Sequence, residues 1–424
     1  MSHGNKLVRC SDASPLFGVW MPHAHLKRLF YGPSCVEQHL VGALPSQSSR
    51  VFIVTGQSLA TKTPLIRQLE ELLGEHHAGT FAGIKQHGEA AGVDQAFAAV
   101  LANPSIDTIL SVGGGSPIDA AKVVSYRMNE QRGSFLFHIA IPTTLSAAEC
   151  TPGGGYTRQD GTKVGFMAPG MGLSAIFYDP SFARHTPRNL ILGSGMRAVD
   201  HAVESVYHPN ASLMPWKAMA CWAIGVLFQY LPQVTAYSDD SNGTGSRQPG
   251  DARAVRRSMH TDDGDGGDGG DCGNMDDALT MLMLAAFASS GFRGANFSGG
   301  MGLSHSLGHA LGSPYGIPHG ETSCLTLAPV VRLLATQQPQ VAAQISRFLL
   351  PAIGRQPSGD EVKDSLDFAR SLEELILQLG LKQPSLSDRG VGRDQIPLIV
   401  ERAVKDPKQQ EFRAGVISLV EGLF

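Results

Sequence analysis

The sequence lacks most of the features that would sort it at once. Its six cysteines (Cys10, Cys35, Cys150, Cys221, Cys272 and Cys324) are scattered and form no CxxC pair. In a long chain that spacing argues against a disulfide framework and for a reducing compartment. No stretch reaches the ~20 apolar residues needed to span a bilayer. The longest, near Ala218–Leu231 and Thr280–Phe292, read as buried helices. No apolar run follows the basic residues near the N-terminus, so no secretory signal is visible and a cytoplasmic location is expected. The formal charge is only −4. That balance gives no support to a nucleic-acid or anionic-membrane partner. Internal repeats are absent, and no glycine loop between a strand and a helix carries a GxGxxG fingerprint.

What is present is enough for more than one core. The chain has 424 residues, 42% of them apolar, and two domains are the natural expectation. From about residue 28 to 190, short apolar strands alternate with helical patterns. Arg50–Thr55, Thr108–Val112 and Phe137–Ile141 read as strands, and Pro64–Leu73 and Val93–Ala102 as helices. Such alternation predicts an α/β fold with a doubly wound parallel sheet. After about residue 188 helical patterns take over: Gly195–Tyr207, Pro215–Leu231, Met275–Phe292, Val341–Leu349, Asp360–Leu379 and Arg413–Glu421. The expected division is therefore 1–188, α/β, and 189–424, all helical, with a ligand cleft between them. Ser238–Asn274 interrupts the second part. It is rich in Asp, Gly and Ser, lacks the ligand spacing of a calcium loop, and reads as a solvated insertion.

Four motifs carry chemistry. Gly113-Gly114-Gly115-Ser116-Pro117-Ile118-Asp119-Ala120-Ala121-Lys122 follows a strand and opens a helix. Glycines let the backbone approach a pyrophosphate, and a helix N-terminus offers free N–H groups and a positive dipole. Ile141-Pro142-Thr143-Thr144-Leu145-Ser146 follows the next strand; its hydroxyls suit ribose, phosphate or an amide, or merely satisfy their own loop. In Gly195–Glu204, Arg197, His201 and Glu204 stand at i, i+4 and i+7 and share a helix face. His305 and His309 lie one helical turn apart, and His319 follows in Pro318-His319-Gly320-Glu321. Three histidines within 15 residues favour an active site, because neutral imidazole binds metals and carries protons near pH 7.

Together these stretches resemble the iron-containing alcohol dehydrogenases. GGGSPIDAAK looks like their pyrophosphate loop. IPTTLSAAE is similar to their IPTTxGTGSE segment, with Ser-Ala-Ala in place of the usual residues. GLSHSLGHALGSPYGIPHG matches their HxxxH…PHG signature. The resemblance implies an NAD(P)-dependent oxidoreductase transferring hydride to or from a carbonyl, alcohol or enone, with a small-molecule substrate and a homodimer or larger oligomer. The positions it implies for NAD(H) or NADP(H) are Gly56, Ser58, Gly114, Gly115, Ser116, Asp119, Thr143, Thr144 and Ser146. No acid follows the strand at Gly56-Gln57-Ser58 to exclude a 2′-phosphate, and neither Lys nor Arg is adjacent to demand one, although Lys62 is near. Metal-dependent members hold a divalent iron or zinc on one Asp and three His. By position the histidines are His201, His305 and His319, while His309 matches the proton-relay histidine.

The aspartate should stand four residues before His201, where this chain has Arg197. A guanidinium cannot ligate a cation and repels one at close range. Asp200 points about 100° away from His201 around a helix. The maleylacetate reductases also lack the aspartate and are viewed as metal-independent, and GMRAVDHAVE and PHGETS resemble that branch. There Arg197 would bind a carboxylate or polarise a carbonyl, beside His201, His305, His309 and His319. The alternatives are a conventional metal-dependent alcohol dehydrogenase, a non-redox lyase or cyclase of the dehydroquinate synthase-like fold, and a binding protein without catalysis.

Overall fold

In the computed structural model the described residues are 25–85, 88–158, 163–235, 270–294, 300–404 and 410–424. Strand Val51–Thr55 is buried along its whole length. It carries the Val/Ile-rich run expected of a strand covered on both faces. With Arg28–Tyr31 as β1 and Val51–Thr55 as β2, the others in chain order are β3 (His77–Phe81), β4 (Thr108–Gly113), β5 (Phe137–Pro142), β6 (Gly153–Thr157), β7 (Lys163–Met167) and β8 (Ala175–Tyr178). Six form one sheet in the order β1-β8-β5-β4-β2-β3. Every pairing in it is parallel. β6 and β7 form a separate antiparallel pair.

The period-2 alternation of the strands sorts their side chains onto two faces. Val51, Ile53, Leu110, Val112, Ile139, Ile141 and Phe177 pack with Leu65, Leu69 and Leu73 of helix Leu65–Leu73. Phe52, Val54 and Ile109 pack instead with helices Ala90–Ala102 and Gly115–Arg132. The chain thus steps outward from β2 to β3, returns across β2 to β4, and changes face. That reversal opens a crevice at the C-terminal ends of β2 and β4, where α/β sheets take ligands.

Helices dominate from Arg188 onward. Helix Arg188–Tyr207 is buried over most of its length and packs against helices Ala218–Val234, Gly270–Ser290 and His319–Gln337. Its core continues onto the sheet through Ala140, Leu145, Ile176 and Tyr178, which joins the helical part to the β5–β8 side. Among the described residues no helix is long and apolar enough to cross a membrane.

Several elements differ from expectation. β1, β3 and the β6–β7 pair carry weak strand signals, while β8 is a short buried apolar run of four residues; all five go beyond the expected strands. The helix expected from Gly195 begins at Arg188, because Gly193 and Gly195 are packing glycines inside it rather than breakers. A Cβ on Gly195 would run into Leu231, and one on Gly320 into the carbonyl of Gly193. The expected insertion Ser238–Asn274 falls mostly outside the described residues; its last five residues begin helix Gly270–Ser290, so the stretch ends in helix rather than loop.

Candidate active site

Two loops meet at the C-terminal ends of β4 and β5. Gly113 has φ 132°, a conformation that L side chains rarely adopt. The next glycine, Gly114, caps helix Gly115–Arg132, which has no acidic residue in its first turn. No carboxylate of that turn offsets its positive end. A Cβ on Gly114 would sit 3.1 Å from Thr144 Cγ2, and one on Gly115 3.1 Å from Ser146 Oγ. Thr144 Oγ1 donates to Ser146 Oγ at 3.3 Å. Thr143 N donates to Gly113 O at 2.9 Å, and Ser116 follows in the first turn. The structure therefore brings Gly114, Gly115, Ser116, Thr143, Thr144 and Ser146 together. Gly56 and Ser58 stand across the crevice, at the end of β2 and in the short helix Gln57–Lys62.

Asp119 is turned along its helix to Lys122 at 3.7 Å. Lys122 is fully buried and donates to Ala148 O at 2.5 Å and Gly153 O at 2.7 Å. It ties the glycine-loop helix to the Thr143–Glu149 loop and the β6–β7 pair. Burial outweighs its acidic neighbours and lowers its pKa.

The four histidines form a file. His201 lies on helix Arg188–Tyr207, His305 and His309 on helix Leu303–Tyr315, and His319 opens helix His319–Gln337. Ring centroids are 5.1 Å apart from His201 to His305, 5.1 Å from His305 to His309 and 5.5 Å from His309 to His319. His201 is buried, His305 and His319 half-buried, and His309 exposed. Burial, then the nearby Arg197 charge, holds His201 and His305 well below the ordinary imidazole range, so both are neutral at pH 7.

Arg197 is buried among them. Its Nη2 donates to His305 Nε2 at 2.7 Å; a guanidinium has no acceptor, so the imidazole must accept. Nη1 donates to Asp200 Oδ2 at 3.1 Å and Ser323 Oγ at 3.3 Å. Burial lowers the Arg197 pKa and raises that of Asp200, each opposed by the partner's charge. Glu204, the third member of the predicted face, accepts from Ser304 N at 2.7 Å and His305 N at 3.3 Å. It caps the histidine helix. Ser323 is a site residue that sequence reasoning missed, and Asp200 one that it set aside. The available signal for Ser323 was its spacing, four residues after His319 on one helix face.

These residues do not fit a cation bridging His201, His305 and His319. The lone pair that His305 would offer is taken by a fixed positive charge. Among the described residues no group of three or more His, Cys, Asp or Glu side chains is placed to hold a metal ion.

A glycine-lined loop at the end of a parallel sheet, with a histidine cluster on a helical layer, defines an α/β protein with a helical partner layer. Residues 27–180 match the family described as iron-containing alcohol dehydrogenase, and residues 272–415 the C-terminal part of the same family. The chain belongs to the iron-containing alcohol dehydrogenase family. It is 28% identical over 222 residues to a maleylacetate reductase of Sphingobium indicum, covering 51% of this chain and 58% of that protein. The chain spans about half the length of the curated relatives it matches. Solved structures share the whole fold. Maleylacetate reductase of Agrobacterium tumefaciens superposes with a TM-score of 0.69 at 21% identity, over 96% of this chain and 99% of that one. An alcohol dehydrogenase of Oenococcus oeni gives 0.74 at 18%, over 96% and 100%.

Proposed function

We propose that this chain reduces a carboxylated carbonyl or enone compound of the maleylacetate type with NADH or NADPH, and that it does so without a catalytic metal. The observation that carries the reading is Arg197 Nη2 at 2.7 Å from His305 Nε2. The positive charge in contact with His305 is a side chain, Arg197.

The glycine loop, with Thr143, Thr144 and Ser146, fits a nucleotide. Gly114 and Gly115 leave the backbone bare, and the helix N-terminus suits a pyrophosphate. When bound, the nicotinamide supplies the hydride. Arg197 faces the developing oxyanion. Three of its five guanidine hydrogens are used by Asp200, Ser323 and His305 among the described residues, which leaves donors for a substrate oxygen. His309, exposed at the outer part of the file, supplies the proton that completes reduction and recovers it from solvent. His201 and His305 keep the pocket polar while remaining uncharged, and His319 adds a third imidazole at its edge.

The test is loss of reduced-nicotinamide absorbance with maleylacetate, set against a panel of simple aldehydes and ketones, in native and exhaustively chelated protein whose metal content is measured. Reduction of maleylacetate that survives chelation is expected. Turnover only of simple aldehydes, lost on chelation and restored by iron or zinc, would overturn the reading in favour of a conventional alcohol dehydrogenase.

A further inference from the structure

Arg197 is held in an unusual way for a buried arginine beside a carboxylate. Such pairs commonly form a two-pronged fork in which both carboxylate oxygens are engaged. Here Asp200 offers one oxygen to one nitrogen. Oδ2 accepts from Nη1 at 3.1 Å, and Asp200 Oδ1, fully buried, has no hydrogen-bond partner among the described residues.

Ser323 explains the difference. Its Oγ donates to the same Asp200 Oδ2 at 2.7 Å and stands 3.3 Å from Arg197 Nη1. It also stands 3.3 Å from the backbone oxygen of His319. Arg197, Asp200 and Ser323 thus close a small ring on Nη1, and Nη2 is left to point at His305. Gly308 completes the seat. A Cβ there would press on Arg197 Nη1 at 3.3 Å and Thr322 Oγ1 at 3.1 Å, so a larger residue at position 308 would crowd the guanidinium.

We infer that Asp200, acting with Ser323, is a positioning residue for the reaction: the two hold Arg197 Nη1 so that Nη2 is aimed at His305 Nε2 and toward the substrate oxygen. The aim has a chemical consequence. Because Nε2 of His305 accepts from Arg197, the neutral ring carries its proton on Nδ1. If the clamp is lost, the guanidinium is free to swing away, and the tautomer of His305 is no longer fixed. This inference rests on the role given to Arg197 above, but the tautomer can be read without any substrate.

The experiment has two arms. Imidazole nitrogen NMR of the whole chain should show His305 as the Nδ1–H tautomer. Asp200→Ala and Ser323→Ala should convert it to a mixture, and Asp200→Asn, which keeps an oxygen at the acceptor position, should largely preserve it. With maleylacetate as probe, Asp200→Ala should lower kcat roughly 10- to 100-fold, in the range for partners that orient a reacting group, with little change in the nucleotide KM. In a double-mutant cycle, Arg197→Gln with Asp200→Ala, or with Ser323→Ala where Asp200→Ala does not fold, should cost no more than Arg197→Gln alone. If Asp200→Ala does not fold, Ser323→Ala leaves both charges paired and carries the test. An unchanged His305 tautomer in Ser323→Ala and in any folded Asp200→Ala, or fully additive losses in the cycle, would overturn the clamp. Full activity in Arg197→Gln would instead defeat the proposed role of Arg197, while the tautomer result still decides the clamp.

Discussion

Arg197 and His305 meet nitrogen to nitrogen at 2.7 Å. They lie 108 residues apart in sequence, on two helices, and the guanidinium occupies the approach that a metal ion would need to reach the imidazole. That contact gives the first prediction. Arg197→Ala should lower kcat/KM by about 3 kcal/mol of transition-state stabilisation, the cost of losing one well-placed donor in a water-poor site. Arg197→Asp should gain affinity for zinc or ferrous ion, measured by calorimetric titration. Stoichiometric metal in native protein, essential for turnover, would show the assignment to be wrong.

His309 is the exposed member of the file, with ring contacts to His305 and His319. Removing an exposed ring leaves the core intact. His309→Ala should therefore keep its thermal midpoint while kcat falls roughly 10²-fold or more, as for loss of a general acid. Thermal unfolding and steady-state kinetics on the same sample test both halves of the statement.

Nucleotide binding should depend on the bare backbone at Gly114. A Cβ alone would already meet Thr144 at 3.1 Å. Gly114→Val should displace the Thr143–Ser146 loop and abolish binding of both NADH and NADPH, followed by nicotinamide fluorescence. Normal titration of either nucleotide would move the pyrophosphate elsewhere.

Stability should fall in mild acid, partly because of a histidine remote from the cluster. His138 is buried on β5, held by Ser111 Oγ at 2.8 Å, and burial with the Lys122 charge lowers its pKa to about 3. Its folded pKa lies below the ordinary value of about 6.5, so the unfolded chain binds the proton more readily. This contribution is fully present above pH 6.5 and is lost as pH falls from there toward 3, at up to about 1.4 kcal/mol per pH unit. Urea unfolding should show a gentler acid slope for His138→Gln than for the native chain. Equal slopes would mean that His138 is protonated in the fold.

The sequence made the fold and the histidines legible for different reasons. β2, β4 and β5 are interior strands, so both faces select apolar residues and the run is continuous. β1 lies at the sheet edge, while β3 (HAGTF) contains glycine and polar residues; neither carries a strong strand pattern. The histidines were found because one helical turn separates His305 from His309. Asp200 was set aside by its angle around the helix from His201. The angle is right, but a guanidinium three residues earlier reaches across it, and side-chain reach is not written in helical spacing. Ser323 is a common residue at an ordinary helical position, and only the folded chain shows that it meets Asp200.

Glu204 has a consequence for how this family member can change. Its carboxylate receives the first N–H groups of the histidine helix, and Gly302 leaves no room for a side chain in front of it. The start of that helix is thereby pinned in phase. Adding or deleting one residue between Gly302 and His305 would leave the pin in place and rotate everything after it by about 100°. His305 and His309 would turn away together from Arg197 and His319. The length of this segment is frozen along with the glycine at its start.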